Sequence, residues 1–374
     1  MSQFECIGGD CEDSCCASWG VEVSEDTAAA IEVALGTPAT RRLISFYTKE
    51  YRTDERCGRL RMPAYKTCSM LDKQGMCALQ QEHGEALLPT TCSSYPRSHS
   101  IHGAAHVLGG FLSCPEVARQ ALLTDSGLTL QDVPLPRWRM NIDQRVDKSG
   151  AYFDLREEVS AVLASFACEH PMAERLWLLA RLTSSSVACF NRTTTDPQPI
   201  RGLLASADSP HLQARWLSQL PDQPRPIFDD VFVGALKILA VDCGIYIKPR
   251  SHVARALAVV EAEGLDAGRA RWREQEPMLA AALDRYLRFH LLSRWYTDSP
   301  DLSSHMERVL LKMAVVRLLV RTAPPTSDLH DVFIQAVYGV DRMVEHDAWF
   351  FQARARIERI SGGHMAQLAD WVRF

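Results

Sequence analysis

Cys6-Ile7-Gly8-Gly9-Asp10-Cys11-Glu12-Asp13-Ser14-Cys15-Cys16 places four sulfurs in a loop of eleven residues. Gly8, Gly9 and Asp10 do not continue a helix, so the segment reads as an ordered loop. Working outward, Cys57, Cys68, Cys77, Cys92 and Cys114 follow from separate turns, and nine of the twelve cysteines lie between positions 6 and 114. The others, Cys168, Cys189 and Cys243, stand alone in helical runs. Cysteine this concentrated is either a disulfide framework or a metal site. The first residues carry no basic stretch and no apolar stretch of the secretory kind, so a reducing cytoplasm is expected, and there thiols stay free or bind metal.

Thiolates are soft ligands suited to zinc or to iron–sulfur clusters, each of which takes about four. The eight candidates Cys6, Cys11, Cys15, Cys16, Cys68, Cys77, Cys92 and Cys114 therefore exceed one site. The bland alternative is a set of buried thiols, which is the reading for Cys57, Cys168, Cys189 and Cys243. His83, His99, His102 and His106 lie close by in sequence, as mixed ligands or as hydrogen-bonded surface histidines. Competing motifs fail. There is no G-x-G-x-x-G after a strand, no phosphate-binding G-x-x-x-x-G-K-[ST] and no H-E-x-x-H. Cys11-x3-Cys15 opens like the three-cysteine loop of radical S-adenosylmethionine enzymes, but position 18 is serine.

Composition is that of a globular chain: 374 residues, 47% hydrophobic and 23% charged, net charge -5. Neither nucleic acid nor a membrane is expected as a partner, since the charge balance is slightly acidic and no apolar run spans a bilayer. The predicted fold is mainly α. A small irregular Cys-rich domain (1–126) leads through a Pro- and Arg-bearing connector (127–150) to a multi-helix domain (151–374). Ser24 caps a helix over Thr27–Leu35 that Gly36 stops, and a second helix is expected over Ala39–Tyr51. Asp72 and Gly75 make a turn between Cys68 and Cys77, a short helix follows over Ala78–Glu85, and residues 91–97 read as a loop. A β-hairpin is expected over Ile101–Leu112, and Pro115 opens a helix behind Cys114. Helical spacing then predicts Asp154–Glu169, Met172–Ser185, Pro210–Gln219, Phe228–Cys243, Ser251–Glu263, Glu276–Tyr296, Ser303–Thr322, Asp328–Val344 and Ala348–Ile360. Trp272, Tyr286, Trp295 and Trp349 fall at core spacing in these runs.

The N-terminal third resembles the flagellin lysine-N-methylase family, within a wider group bearing a C-x-x-C-x-x-C-C zinc- or iron-chelating domain. The match is carried by Phe4-Glu5-Cys6, Cys11-Glu12-Asp13-Ser14-Cys15-Cys16 and Trp19, then Cys68, Leu71-Asp72, Gly75-x-Cys77, Gln80, Gly84-Glu85 and Leu88. Thr91-Cys92, Tyr95-Pro96-Arg97 and Ser113-Cys114-Pro115-Glu116 with Ala118-Arg119 complete it. The spacing departs in one place, with four residues rather than two between Cys6 and Cys11. The resemblance implies methyl transfer from S-adenosylmethionine to lysines of flagellin, with an iron–sulfur cluster, a four-iron one, in the cysteine domain and zinc as the alternative metal. The runner-up is a non-catalytic metal-binding or metal-delivery protein with a helical interaction domain.

Lysine attacks only as the neutral amine, against a free pKa of about 10.4. Tyr95 and Glu116 are the candidate proton acceptors. Trp19 could offer the sulfonium an aromatic face, and Arg97 could fork its carboxylate. Each has a plain structural alternative: Trp19 as a core lid, Tyr95 in a rigid turn, Arg97 paired with Glu116, and Glu116 as a first-turn helix charge.

Overall fold

The computed structural model describes residues 4–17, 20–48, 56–62, 67–125, 127–128, 131–134, 142–143, 155–186, 196–222, 227–241, 247–292 and 302–345. The chain is mainly α, with fourteen α-helices and six short strands among these residues.

After a 3-10 turn at Gly8–Asp10, the chain forms β1 (Glu22–Val23), α1 (Glu25–Leu35), α2 (Thr37–Leu43), β2 (Ile44–Thr48) and β3 (Arg56–Leu60). The Ser24 hydroxyl accepts from the Thr27 amide at 3.3 Å, and Gly36, at φ 79°, closes α1 as expected. The second predicted helix stops at Leu43. The run Ile44-Ser45-Phe46-Tyr47-Thr48 is β-branched and aromatic and pairs antiparallel with β3, so tertiary pairing overrides its helical spacing. The strands form a sheet in the order β1-β3-β2.

The Asp72 turn forms as read. Its carboxylate accepts from the amides of Gln74 and Met76, both at 2.9 Å, and Leu71 bridges to Cys77. Helix α3 (Ala78–His83) follows. Residues 90–94, expected as loop, make a short helix, α4 (Thr90–Ser94), in which the Ser93 and Ser94 hydroxyls donate to the Thr90 carbonyl. The hairpin is present as β4 (Arg97–His102) and β5 (Ala105–Gly110), with β6 (Ile142–Asp143) parallel to β4. Helix α5 (Pro115–Leu123) starts from Cys114.

The remaining helices are α6 (Arg156–Glu169), α7 (Met172–Ser186), α8 (Gln198–Ala207), α9 (Pro210–Leu217), α10 (Ile227–Val241), α11 (Ile247–Glu263), α12 (Arg269–Leu292), α13 (Leu302–Arg321) and α14 (Leu329–Glu345). The sequence reading omitted α8, although Ile200, Leu204 and Ala207 sit on one buried stripe of it. Helix α12 starts seven residues before its predicted beginning, because Trp272 is buried and its amide bonds to the Gly268 carbonyl. Most of the connector, Trp19, Cys189, Cys243, Trp295, Trp349 and the helix over Ala348–Ile360 lie outside the described residues. Cys168, expected as a buried thiol, is exposed, because its position on α6 faces away from the Val159, Val162 and Phe166 stripe. No helix among the described residues is long and apolar enough to cross a membrane.

Two hydrophobic cores result. The smaller packs Val21, Val23, Ala28, Ile31, Ile44 and Leu60 against Cys68, Met70, Leu79 and Leu88. The larger runs through α6 to α14 and also takes in Phe4, Leu112, Cys114 and the apolar face of α5. Helix α5 lies on α12 and α14, fastened by Arg285, whose Nε donates to the Leu122 carbonyl at 2.7 Å. The cysteine-rich segments are thus seated directly on the helical bundle.

Candidate functional site

The four-cysteine loop is held in place by small residues and backbone bonds. A Cβ on Gly9 would come within 2.5 Å of the Gln74 carbonyl oxygen, so the loop lies flat against the Asp72 turn. The Cys68 amide donates to the Cys16 carbonyl at 2.7 Å, and the Cys16 amide donates to the Ser14 hydroxyl at 3.1 Å. Cys77 ends one side of the Asp72 turn, Cys92 sits inside α4, and Cys114 stands at the start of α5.

Electrostatics shows which sulfurs are neighbours. Burial first, then Cys68, Cys77 and Cys15, raise the Cys92 thiol to about 12. The Cys16 thiol is pushed up by its hydrogen bond to Cys15, by burial, and by Cys15, Cys92 and Cys68. Burial first, with Cys11 and Cys15 contributing against the backbone hydrogen bonds of Val117 and Glu116, raises Cys114 to about 12. Cys16, Cys68, Cys77 and Cys92 therefore form one group, Cys11 and Cys114 flank it, and Cys15 touches both. Cys15 is lowered to about 7, chiefly by the hydrogen bond from Cys16, and it keeps solvent-accessible surface although protein crowds around it. Cys6 is exposed on the loop, its sulfur accepting from the Gly8 amide at 3.4 Å.

Thiols that raise one another's pKa are thiolates that repel, and a bound cation removes that repulsion. Among the described residues no three cysteine sulfurs lie within 4.8 Å of one another. A single zinc with bonds of about 2.3 Å needs its sulfurs about 3.8 Å apart. A polynuclear core holds its thiolates further apart, because each binds a different iron. A set of soft thiolates is chemically suited to either metal centre.

Against this cluster lies a guanidinium that the sequence reading missed. Arg342 of α14 is 6% exposed and pairs with Asp13, 8% exposed, at 2.8 Å. Its Nε donates to the Ser113 carbonyl at 3.1 Å, and it lies 5.8 Å from the Tyr338 ring centre. Tyr95 hydrogen-bonds with the Ser113 hydroxyl at 3.1 Å, lies within reach of the charge of Arg342, and stacks its ring on Phe111. Burial pushes the Tyr95 hydroxyl well up, so at neutral pH it is a donor before it is a base.

Glu116 is engaged by Arg119 at 2.5 Å and by Gln120 at 2.9 Å, and Arg119 reaches on to Glu12 at 2.6 Å. The expected partner Arg97 instead lies over the Phe4 ring, 5.5 Å from its centre. Trp19 lies outside the described residues. His99 and His106 bond to each other across the hairpin at 2.8 Å.

A second buried polar cluster lies one residue away on α14. His290, Asp341 and Glu345 bring potential ligand atoms within 4.8 Å of one another. Lys312, fully buried, already pairs with both carboxylates, at 2.6 Å from Asp341, and Arg308 stands 3.8 Å from Glu345. Burial and Lys312 depress His290, so two carboxylates face two cations and a neutral imidazole. The charges balance without a metal, and the cluster reads as structural.

No family model matches the chain, and no solved structure matches it. Among curated proteins it is 28% identical over 137 residues to the Lysine-N-methylase of Salmonella choleraesuis, covering 35% of this chain and 33% of that protein. It is 27% identical over 137 residues to the Lysine-N-methylase of Salmonella typhimurium, with the same coverage. It is 27% identical over 135 residues to the Flagellar biosynthetic protein FliU of Salmonella muenchen, covering 35% of this chain and 78% of FliU. The chain thus spans about a third of the length of the two methylases, and the likeness is a distant relationship confined to about a third of this chain.

Proposed function

We propose that the chain is a protein-lysine N-methyltransferase that moves methyl groups from S-adenosylmethionine to lysine side chains of flagellin, with an iron–sulfur cluster in its cysteine-rich region. The observation that carries the reading is the convergence of Cys15, Cys16, Cys68, Cys77 and Cys92 from four separate segments, in a chain similar to proteins named lysine-N-methylase. Cys16, Cys68, Cys77 and Cys92 would be the core ligands, with Cys15 adjoining. Bound there, the cluster would supply a Lewis-acidic anchor.

The chain's own residues address the other demand, a cationic substrate made neutral. Glu5 and Asp10 are exposed on the cysteine loop and Glu12 is half-buried there, a negative rim that attracts lysine. Glu116, which shares Arg119 with Glu12 of that rim, would accept the ammonium proton. Tyr95, held protonated, orients by donating.

The test is purification of the full chain without oxygen, assay of iron, acid-labile sulfide and zinc, and incubation with flagellin and methyl-labelled S-adenosylmethionine. Iron with sulfide and label in flagellin lysines are expected. Metal-replete protein that labels no flagellin overturns the transferase reading. Active protein holding only zinc overturns the cluster.

A further inference from the structure

We propose that Arg342 is a positioning residue for the metal centre: one guanidinium pins three cysteine-bearing segments in the arrangement that receives the metal. The inference rests on the cluster reading above. It extends that reading to α14, more than two hundred residues away from the last of the clustered cysteines in sequence.

The pinning is read from the contacts. On the first segment, Arg342 pairs with the Asp13 carboxylate at 2.8 Å and its Nη2 donates to the Asp13 carbonyl at 3.4 Å. The Cys11 thiol donates to that same carbonyl at 3.3 Å, so Arg342 and Cys11 share an acceptor between Cys11 and Cys15. On the second, Nε holds the carbonyl of Ser113, the residue before Cys114. On the third, Tyr95, three residues after Cys92, bonds at 3.1 Å to the hydroxyl of Ser113, the residue whose carbonyl Arg342 holds. A guanidinium donates in several fixed directions at once, which a lysine ammonium on a flexible stem does not.

The experiment compares wild type, Arg342→Lys and Arg342→Met as full chains, reconstituted anaerobically. The readouts are iron and sulfide per chain, the rate of iron loss to a ferrous chelator below the melting temperature, and the midpoint potential. Groups that orient metal ligands typically change metal affinity by roughly 10–100-fold when removed. Arg342→Met is expected to lose iron at least about tenfold faster and to shift the potential downward, because a positive charge has gone. Arg342→Lys should keep the potential and fall between the two in iron loss. If Arg342→Met does not fold, intermediate iron loss in Arg342→Lys still supports the pin and wild-type iron loss removes it. Unchanged iron loss and potential in both variants overturn the proposal. If the wild type takes up no iron and sulfide, the cluster reading fails by itself, and the pin is decided in the metal-free chain. There, faster alkylation of Cys11 and Cys114 in Arg342→Met keeps the pin, and equal rates remove it.

Discussion

The cysteine-rich third and the helical bundle hold their buried polar groups in opposite ways. In the bundle, every charge of the Lys312 cluster meets a counter-charge supplied by the protein: Lys312 and Arg308 face Asp341 and Glu345, and the Tyr286 hydroxyl donates to Asp341 at 2.9 Å. Burial alone would push Asp341 up, but Lys312 and then His290 bring it below the usual carboxylate range. In the N-terminal third the buried groups include thiols whose near neighbours are other thiols, and most make ionisation of the next harder, Cys16 easing only that of Cys15. The apolar cores differ in the same sense, with ten buried side chains in the smaller and sixty in the larger among the described residues. A core of ten is marginal on its own. The bundle is complete as a protein, whereas on the proposed reading the cysteine region would be completed by the metal it holds.

The strongest way to break this contrast is to remove ligands. Changing Cys68 and Cys92 together to serine should abolish metal retention. It should open the region before α5 to protease while the bundle stays resistant, followed by metal assay and mass spectrometry of the fragments. A bundle that melts with the cysteine region would refute the division. Next in size is Lys312→Met, which strands Asp341 and Glu345 without their cation inside the core. A loss of about 3–5 kcal/mol in denaturant unfolding is expected, with little change in metal content.

Acid should separate the regions further. His305 is lowered from 6.5 to about 3, by burial first and then by Arg308, and its Nε2 bonds with the His290 carbonyl at 3.1 Å. The unfolded chain takes up this proton near pH 6.5 and the folded chain only near 3, so stability falls as pH drops through that window, by roughly 1.4 kcal/mol per unit. His305→Gln should flatten the acid slope of thermal melts taken between those limits. In the metal-free chain, Cys15 should react first with iodoacetamide, with half-maximal rate near pH 7, while Cys92 and Cys114 stay protonated and slow. Peptide mapping across pH reads this directly.

The smallest effect concerns Glu116. Its pair with Arg119 is partly exposed, so Glu116→Gln should cost only about 0.2–1 kcal/mol of stability. A proton acceptor should nevertheless lose roughly a hundredfold or more in methyl transfer. An unchanged transfer rate would leave Glu116 a helix-end charge.

The sequence by itself determined the helical class, nearly all helices beyond the connector, the Asp72 turn and the hairpin, and it marked the concentration of cysteines. These are local signals: apolar residues repeat at the period of the element that buries them, and a cysteine announces its chemistry wherever it stands. Tertiary structure decided what depends on distant partners. It turned residues 44–48 into a strand because β3 lies alongside, joined Arg119 to Glu12, 107 positions away, and sorted the sulfurs into a central group with Cys11 and Cys114 at its edge. It also set Arg342 against Asp13, 329 positions away. A charge inside the apolar period of α14 was visible in the sequence, but its partner was not, because an ion pair is fixed by where the chain returns in space and leaves no spacing along it.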